Sequence, residues 1–373
     1  MRPRFRFRGL AHDERVTARV GRWLGIAFAV CFVTGLISHF VQHPAGIFAW
    51  PSRPVNLYRV TQGLHVISGI AAIPLLLAKL WSVYPKLFAR PVVRSPLHAI
   101  ERGSILVLSG AAFFQLLTGL FNIAQNYPWN FYFPTAHYAV SWIAIGSILV
   151  HVAVKLPVIR SGLRKDPTAA AKPDDHLGLS RRGFLRGTWL TAGVAVVATA
   201  GATVPLLRGV SGLSWRSGKG PQGVPVNRTA SAAGVVDAAR NPQWTLEVVA
   251  PAGTRRFTLA ELAAMPQTTA ELPIACVEGW SQPATWTGVP VADLLGEVGA
   301  RPGAEVDVVS LEQDGLYARS TLPGEHTADP LSLLALRVNG EVLDIDHGYP
   351  CRVIAPNRPG VLQTKWVQRL EVR

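Results

Sequence analysis

The sequence predicts a membrane all-α four-helix bundle with a fifth anchor helix, followed by a mixed α+β, mostly β, domain. Three observations predict this order: long apolar stretches confined to the first half, basic residues concentrated around them, and short β-type runs in the last third. The 373 residues have a mean hydropathy of +0.24 and only 16% charged side chains. That composition is typical of a chain with membrane spans.

Four apolar stretches are each close to the length that a helix needs to cross ~30 Å of hydrocarbon at ~1.5 Å per residue. They cover residues 23–41, 60–81, 104–124 and 137–154. A fifth stretch, residues 188–207, is rich in Ala, Gly and Val and is only weakly apolar. We predict that all five are spans.

Basic residues concentrate in the apolar half of the chain. Residues 1–187 contain 22 Lys and Arg against 6 Asp and Glu, whereas residues 188–373 contain 15 against 17. The N-terminal tail, the second loop and the segment after the fourth span are basic, and the first and third loops are not. The positive-inside rule therefore places the N-terminus in the cytoplasm and the C-terminal domain outside a multi-pass cell membrane. The same split favours membrane topology over nucleic-acid binding.

We expect these features to divide the chain into five parts. They are a transmembrane domain at 1–160, a cytoplasmic loop at 161–187, a fifth helix at 188–207, a Gly-, Pro- and Ser-rich linker at 208–240, and a folded domain at 241–373. Within the last part, Asn339-Gly340 predicts a hairpin turn because this pair tolerates the positive φ of a type I′ turn. Residues 291–298 predict a short helix.

Histidines within the apolar stretches are candidate haem ligands, because an ionisable side chain in a span costs about 2–3 kcal/mol or more. Fourteen residues separate His137 from His151, about 40° short of four helical turns and a rise of ~21 Å. Both rings therefore lie on the same face of the helix, and their separation along the helix axis suits two stacked haems. His65 pairs with His137 toward the outer face and His98 with His151 toward the inner face, and His39 could replace either outer ligand. The alternative is that each histidine caps a helix or lines an interface.

This arrangement over residues 20–155 resembles the b-type cytochrome subunits of formate dehydrogenase and nickel hydrogenase. The resemblance implies a four-helix bundle that holds one or two haem b groups through pairs of histidines. In that family the inner partner of the fourth-helix histidine lies on the first span, where this chain has Cys31 and the outer His39.

Two motifs in the last third of the chain carry a second resemblance. Cys276 is followed by Trp286-Thr287-Gly288-Val289-Pro290, and an Asn-Gly pair is followed by a His-Gly-x-Pro-x-Arg string and a Lys-Trp pair. Over residues 240–373 these motifs resemble the molybdopterin domain of the sulfite oxidase superfamily, most of all its periplasmic methionine-sulfoxide reductase branch. The matching positions of the second motif are His347, Gly348, Pro350, Arg352, Lys365 and Trp366.

The resemblance implies that Cys276 is the catalytic thiolate ligand of molybdenum, which a soft sulfur donor suits. It implies cofactor contacts, including cationic partners for the pterin phosphate, from Ser310, His347, Arg352, Gln363, Thr364 and Lys365. Glu278 lies where sulfite oxidases have a basic pocket, which argues against a dianionic substrate. A lone cysteine can also be a small buried hydrophobe, and we expect that role for Cys351.

Residues 180–186, with the sequence SRRGFLR, resemble a twin-arginine export signal. Such a signal would let a translocase carry the folded, cofactor-loaded domain across the membrane behind the fifth span. The alternative is a positive-inside flank with no export role.

These features together predict a membrane-bound molybdopterin-dependent oxidoreductase of the oxygen-atom transfer type. It would exchange electrons between an extracytoplasmic, methionine-sulfoxide-like substrate and the quinone pool through haem b. Its other expected partners are the twin-arginine translocase and membrane lipid. The alternative is a membrane-tethered binding or electron-transfer module without molybdenum chemistry of its own.

Overall fold

The computed structural model describes residues 10–44, 49–89, 91, 93–166, 180–214 and 220–373. The first nine residues of the basic tail, residues 167–179 of the predicted cytoplasmic loop and residues 215–219 of the predicted linker lie outside this part. The chain divides into two compact units. The first comprises Met1–Leu36, Leu64–Ala200 and Val210–Leu213, and the second comprises Ile37–Gly63, Gly201–Gly209 and Ser214–Arg373.

Four helices at the start of the chain confirm the predicted membrane-length segments. They are α1 (Glu14–Gln42), α2 (Leu57–Leu87), α3 (Pro96–Ala124) and α4 (Phe133–Arg164). Each is long and apolar enough to cross a membrane, with a mean hydropathy between 1.8 and 2.1 in its most apolar part. Within the first unit they share a buried core that includes Val16, Phe28, Leu75 and Ala112.

The fifth predicted stretch differs in its bounds from the helix that forms there. Helix α5 spans Arg181–Thr199, and the Ser180 hydroxyl caps it by accepting a hydrogen bond from the Gly183 N–H. The chain then continues in short 3-10 turns, one of them opened by Pro205, which has no N–H to extend a regular helix. Among the described helices, only α1 to α4 meet the length and apolarity of a membrane span.

The second unit contains two sheets. Their strands are β1 (Thr245–Ala250), β2 (Gly253–Thr258), β3 (Thr268–Ala275), β4 (Ser281–Pro290), β5 (Val306–Ser310), β6 (Arg319–Leu322), β7 (Leu333–Val338), β8 (Glu341–Val342), β9 (Arg352–Ile354) and β10 (Val367–Val372). One sheet has the order β2-β1-β10-β5-β6, in which β1 and β10 run parallel. The other has the order β3-β4-β7-β8, with β9 also paired to β7. The predicted hairpin turn joins β7 to β8, with φ of 51° at Asn339 and 85° at Gly340.

Short helices complete the core of this unit. They are α6 (Val236–Arg240), α7 (Leu259–Ala264), α8 (Val291–Gly296) and α9 (Gly324–Thr327). The predicted helix at 291–298 is present as α8, and its Val291, Leu294 and Leu295 are buried against the first sheet. The second sheet has its own buried cluster around Leu272 and Trp286.

Much of the predicted linker packs on the sheets. Val224, Ala230, Val235 and Ala239 are all buried, the last three around Trp366. In this segment small apolar residues alternate irregularly with Gly and Pro, so the sequence looks like a linker. In the structure the segment packs on the surface of the domain.

The segment between the first two spans also belongs to the second unit. Asn357 is its main attachment point: its backbone oxygen accepts from Trp50 Nε1 (2.7 Å), its amide donates to Pro51 O (2.6 Å) and its Oδ1 accepts from Tyr58 N–H (2.6 Å). Arg53 forms two 2.8 Å hydrogen bonds with the carboxylate of Asp329. Asn357 and Asp329 therefore both fasten this segment to the C-terminal domain.

Candidate functional site

Cys276 lies in a tight turn directly after β3. Its N–H donates to Trp280 O (2.8 Å), and Gly279 N–H donates to Cys276 O (3.0 Å). The turn needs a left-handed residue, and Gly279 supplies it with φ of 87°. The thiol is 1% exposed, so the turn fixes the sulfur at the inner end of a pocket.

Polar groups surround the sulfur. The Asn227 amide donates to Cys276 Sγ at 3.3 Å, and Glu278 Oε2 lies 3.7 Å from the same atom. Glu278 Oε2 also accepts from Trp280 Nε1 (3.2 Å). The turn thus places a sulfur, an amide donor and a carboxylate together.

The pocket in front of Cys276 has a volume of about 330 Å³. It brings together all the residues of the molybdopterin motifs that were expected to touch a cofactor: Ser310, His347, Arg352, Gln363, Thr364 and Lys365. Gly348 makes this possible because its φ is 112° and a Cβ there would lie 3.1 Å from the Cβ atoms of Arg352 and Lys365. A side chain at that position would push the His347 turn away from both cations.

Arg352 is buried at the base of the pocket. Its two terminal nitrogens donate to His347 O (3.2 Å) and Gln363 O (3.0 Å), and its guanidinium lies 5.1 Å from the centroid of the Trp286 ring. Burial lowers the pKa of Arg352 to about 9. Within the described part of the chain, Arg352 Nε and Gln363 Oε1 are buried without a hydrogen-bond partner. Buried polar atoms of this kind are normally satisfied, which indicates a polar ligand.

Lys365 and His347 supply further donors. Lys365 Nζ donates to the carbonyls of Asp346 (2.9 Å) and Arg228. Burial, with a smaller contribution from Arg352, lowers the pKa of Lys365 to about 7. His347 Nε2 donates to Pro221 O (2.7 Å), and burial lowers the pKa of this imidazole too.

The hydroxyl groups of Ser310 and Thr364 have neighbours in the protein. Ser310 Oγ donates to Lys365 O (2.8 Å) and accepts from Glu312 N–H (3.1 Å), and Thr364 Oγ1 lies 2.7 Å from Ser320 Oγ. Both side chains therefore hold the 364–365 backbone in place at the pocket wall.

The donor set fits a molybdenum–pterin cofactor. A single buried thiolate is the protein ligand that such a metal needs when a dithiolene provides its other sulfurs. Buried cations with an orphaned guanidinium nitrogen suit the pterin phosphate. In the described residues, His, Cys, Asp and Glu side chains form no group of three that could hold a metal ion by themselves.

Residues 233–373 match the family model of the oxidoreductase molybdopterin binding domain. This part of the chain is therefore similar to the molybdopterin-binding domains of oxidoreductases.

Several curated proteins share similarity with parts of the chain. The protein named "Putative protein-methionine-sulfoxide reductase subunit YedZ1" of Azospira oryzae is 32% identical over 31% of this chain and 43% of its own length. The mitochondrial sulfite oxidase of Drosophila melanogaster is 28% identical over 35% of this chain and 28% of its own length. The protein-methionine-sulfoxide reductase catalytic subunit MsrP of Gluconobacter oxydans is 28% identical over 35% of this chain and 46% of its own length. The chain thus matches less than half the length of each of these relatives.

Several residues of this pocket were not predicted from the sequence. Asn227 and Arg228 lie in the segment whose composition resembles a linker, yet both line the pocket. Arg228 also pairs with Glu312 at 2.6 Å. The Pro-Val-Asn-Arg-Thr sequence that contains them has no periodicity, so only its tertiary contacts with the Cys276 turn show its role.

In the first unit the structure brings His65 and His137 together, with ring centroids 6.4 Å apart. His65 Nδ1 donates to Cys31 O (2.9 Å). The Thr118 hydroxyl donates to Phe114 O, so it accepts from His137 Nδ1 at 3.0 Å. Within the described residues neither Nε2 has a hydrogen bond, and each ring therefore presents its lone-pair nitrogen as metal-ligating histidines do.

The other candidate haem ligands, His98, His39 and His151, have different neighbours. His98 Nδ1 accepts from Arg94 N–H (3.2 Å), and its Nε2 lies 3.4 Å from Arg102 Nε. The His39 ring stacks on His43 with centroids 4.8 Å apart. His151 lies within electrostatic reach of Lys79 and of the Lys155–Glu101 ion pair. No ring contact joins His98 to His151 among the described residues.

Proposed function

We propose that the protein is a membrane-bound, molybdopterin-dependent oxidoreductase of the oxygen-atom transfer type. It exchanges electrons between an extracytoplasmic, methionine-sulfoxide-like substrate and the quinone pool through haem b. The observation that carries the proposal is the buried Cys276 thiol at the end of a pocket whose cationic side chains include an unpartnered guanidinium nitrogen.

Each pocket residue has a distinct task in this proposal. Cys276 provides the thiolate, and the Asn227 amide holds the sulfur by its 3.3 Å hydrogen bond. Arg352 and Lys365 hold the pterin phosphate, and Gln363 offers its free Oε1 as an acceptor. When bound, the molybdenum cofactor supplies a two-electron couple that accepts or releases one oxygen atom.

Glu278 favours a neutral substrate. Removal of oxygen from a sulfoxide consumes two electrons and two protons and releases water. The Glu278 carboxylate lies 3.7 Å from Cys276 Sγ, beside the proposed metal ligand. Glu278 lines the pocket, and its charge disfavours an oxyanion such as sulfite. The methionine-sulfoxide reductases among the relatives agree with this choice.

The paired imidazoles support one haem b near the outer ends of α2 and α4. An iron atom held about 2 Å from each Nε2 would separate the ring centroids by roughly 6 Å, close to the 6.4 Å between His65 and His137. A Cβ at Gly35 would lie 3.3 Å from His65 Cε1, so the glycine leaves room around this ring.

The first loop supports an extracytoplasmic position for the catalytic domain. The segment 37–63 belongs to the same compact unit as the domain, and it carries few basic residues, as outer loops do. We further propose that residues 180–186 direct export by the twin-arginine route and that α5 then anchors the domain.

The test combines two measurements on one detergent-solubilised sample. A reduced-minus-oxidised optical spectrum detects haem b by its α-band, and mass spectrometry counts molybdenum per chain. The proposal expects both, with about one molybdenum atom. Molybdenum without haem would refute the haem relay, and haem without molybdenum would favour a tethered electron-transfer module.

A further inference from the structure

Residues 221–230 form a strap that is fastened to the rest of the domain at both ends. At its first end Gln222 Nε2 donates to Val342 O in β8 (2.7 Å). At its second end Ala230 N–H donates to Asp346 Oδ1 (2.8 Å). The middle of the strap contributes four lining residues to the candidate pocket.

The mouth of the pocket lies between this strap and the loop that joins β5 to β6. Among the described residues that line the pocket, only Asn227, Arg228 and Leu316 are exposed. The first two belong to the strap and the third to the β5–β6 loop. Cys276 is 1% exposed, so the route from solvent to its sulfur passes between these two segments.

An ion pair bridges the mouth. Arg228 Nη2 lies 2.6 Å from Glu312 Oε1, and Arg228 Nε donates to the same oxygen at 3.0 Å. The Glu312 side chain is only 11% exposed, so its carboxylate depends on this partner more than a solvated one would. Gly315 leaves space for the carboxylate, because a Cβ there would overlap Glu312 Cδ. The strap and the β5–β6 loop are thus joined by a pair of opposite charges.

The strap also contacts the interior of the pocket. The Asn227 amide donates to Cys276 Sγ at 3.3 Å, and the Arg228 carbonyl oxygen accepts from Lys365 Nζ. The strap therefore lies directly against groups that a ligand of the pocket has to reach.

We propose that the strap and the β5–β6 loop are the two sides of a gate to Cys276, and that the Arg228–Glu312 ion pair holds this gate closed. Opening separates the two charges and gives a pterin-sized ligand access to the sulfur. When the pair forms again, the pocket is closed. This inference goes beyond the proposed function, because it concerns access to the thiol in the chain without a cofactor.

The test measures how fast Cys276 reacts with N-ethylmaleimide in the cofactor-free, full-length protein. The protein is purified in detergent from cells that do not make molybdopterin, and the alkylation of each cysteine is quantified by peptide mass spectrometry. A buried thiol reacts through an open state, so its rate follows the population of that state when opening and closing are fast.

We expect Cys276 to react roughly three- to tenfold faster in Glu312→Gln and in Arg228→Gln than in the wild type, because neither variant can form the ion pair. High salt should accelerate the reaction of the wild type, since it screens the two charges. It should have little effect on either variant.

Two controls show whether the effect is local. Arg256→Gln removes an ion pair with Glu247 (3.0 Å), in which the cation is exposed and the carboxylate largely shielded, and neither residue lines the pocket. This variant should react at the wild-type rate. Cys351 is fully buried in the hydrophobic core, so its alkylation reports unfolding of the whole domain and should stay unchanged.

The two gate variants also distinguish opening from a direct electrostatic effect on the thiol. Loss of the Glu312 charge favours the reactive thiolate, whereas loss of the Arg228 charge disfavours it. Electrostatics alone would therefore change the two rates in opposite directions. An open gate increases both.

Several results would overturn the inference. They are an unchanged or slower reaction in either gate variant, an equal acceleration in Arg256→Gln, a parallel rise at Cys351, and a wild-type Cys276 that reacts as fast as a cysteine of the unfolded chain. The molybdenum and haem contents of the loaded protein test the proposed function separately, so failure of one is distinguishable from failure of the other.

Discussion

At the scale of single residues, the C-terminal domain contains two buried thiols with different surroundings. Cys276 is bonded by Asn227 and lines the pocket. Cys351 is fully buried in the hydrophobic core, where it donates a weak hydrogen bond to Val367 O, and burial raises the pKa of its thiol. Of these two thiols, Cys276 lines the pocket and Cys351 does not, which agrees with the proposed role of Cys276 as a metal ligand.

We expect Cys276→Ser to abolish turnover while the domain stays folded, because an alcohol cannot replace a soft thiolate on molybdenum. The matched control is Cys351→Ser, which should retain molybdenum and activity but unfold at a lower temperature. Molybdenum content, turnover and thermal unfolding of both variants check this. Full activity in Cys276→Ser would contradict the metal-ligand assignment.

Lys365 makes the stability of the cofactor-free protein depend on pH. Its pKa is about 7 in the folded state instead of 10.5, so between these values the folded state binds fewer protons than the unfolded state. The free energy of unfolding should therefore rise with pH across this window. Lys365→Met should flatten that rise, measured as unfolding temperature against pH. Bound pterin phosphate should remove the rise, because it favours the charged ammonium.

At the scale of secondary-structure elements, the Trp-x-Gly-x-Pro motif brings β4 and β7 into close contact. Gly288 pairs with Ala335, and a Cβ on Gly288 would lie 2.1 Å from Leu334 O. The motif's glycine is therefore a packing requirement between two strands of the sheet that leads to Cys276.

Gly288→Ala should lower the free energy of unfolding by about 1–3 kcal/mol, as overpacking of a rigid core does. Gly296→Ala is the control, because a Cβ there would meet no atom within 4 Å. Thermal or denaturant unfolding compares the two. Equal stability of both variants would show that the strands separate without strain.

The helices α2 and α4 carry the haem prediction. His65→Ala and His137→Ala should each remove the haem α-band, because either change would remove one of the two nitrogens proposed to hold the haem. His98→Ala should keep the band, since both of its ring nitrogens have arginine neighbours. Difference spectra at equal protein concentration measure the effect. Retention of a full band in His65→Ala would exclude this pair as ligands.

The sequence predicted the membrane-length helices but not all of the side-chain contacts that they and the linker make. Long apolar runs identify α1 to α4 because a membrane span needs a fixed length of hydrocarbon side chains. Helical spacing alone does not predict which histidine rings lie close together. In the structure His65 lies near His137, whereas the ring nitrogens of His98 contact Arg94 and Arg102. Asn227 and Arg228 were predicted to lie in a linker because their segment is rich in Gly, Pro and Ser. Ordered loops that line a pocket can have the same composition, so composition does not distinguish the two.

At the scale of the whole molecule, the first loop is a structural part of the second compact unit. Asn357 uses its backbone oxygen, amide nitrogen and amide oxygen to hold the loop. The Asp329 side chain is 4% exposed, and Arg53 pairs with it. The sequence contains no motif that predicts this attachment, because the side chains that form it are some 300 residues apart in the chain.

Arg53→Ala should destabilise the second unit by about 1–3 kcal/mol, because it leaves a buried carboxylate without its charged donor. Arg53→Ala combined with Asp329→Ala should be less destabilised than the sum of the single changes. Thermal unfolding of the four proteins gives the coupling. Additive effects would show that the loop is held by its other contacts alone.

The burial of Arg181 has a consequence for how the protein is assembled. This first arginine of the 180–186 segment is 8% exposed and forms a 2.7 Å ion pair with Asp13. If residues 180–186 are an export signal, as proposed above, a receptor would have to bind Arg181 before this ion pair forms. Folding of the segment against Asp13 would then make the signal inaccessible to the receptor.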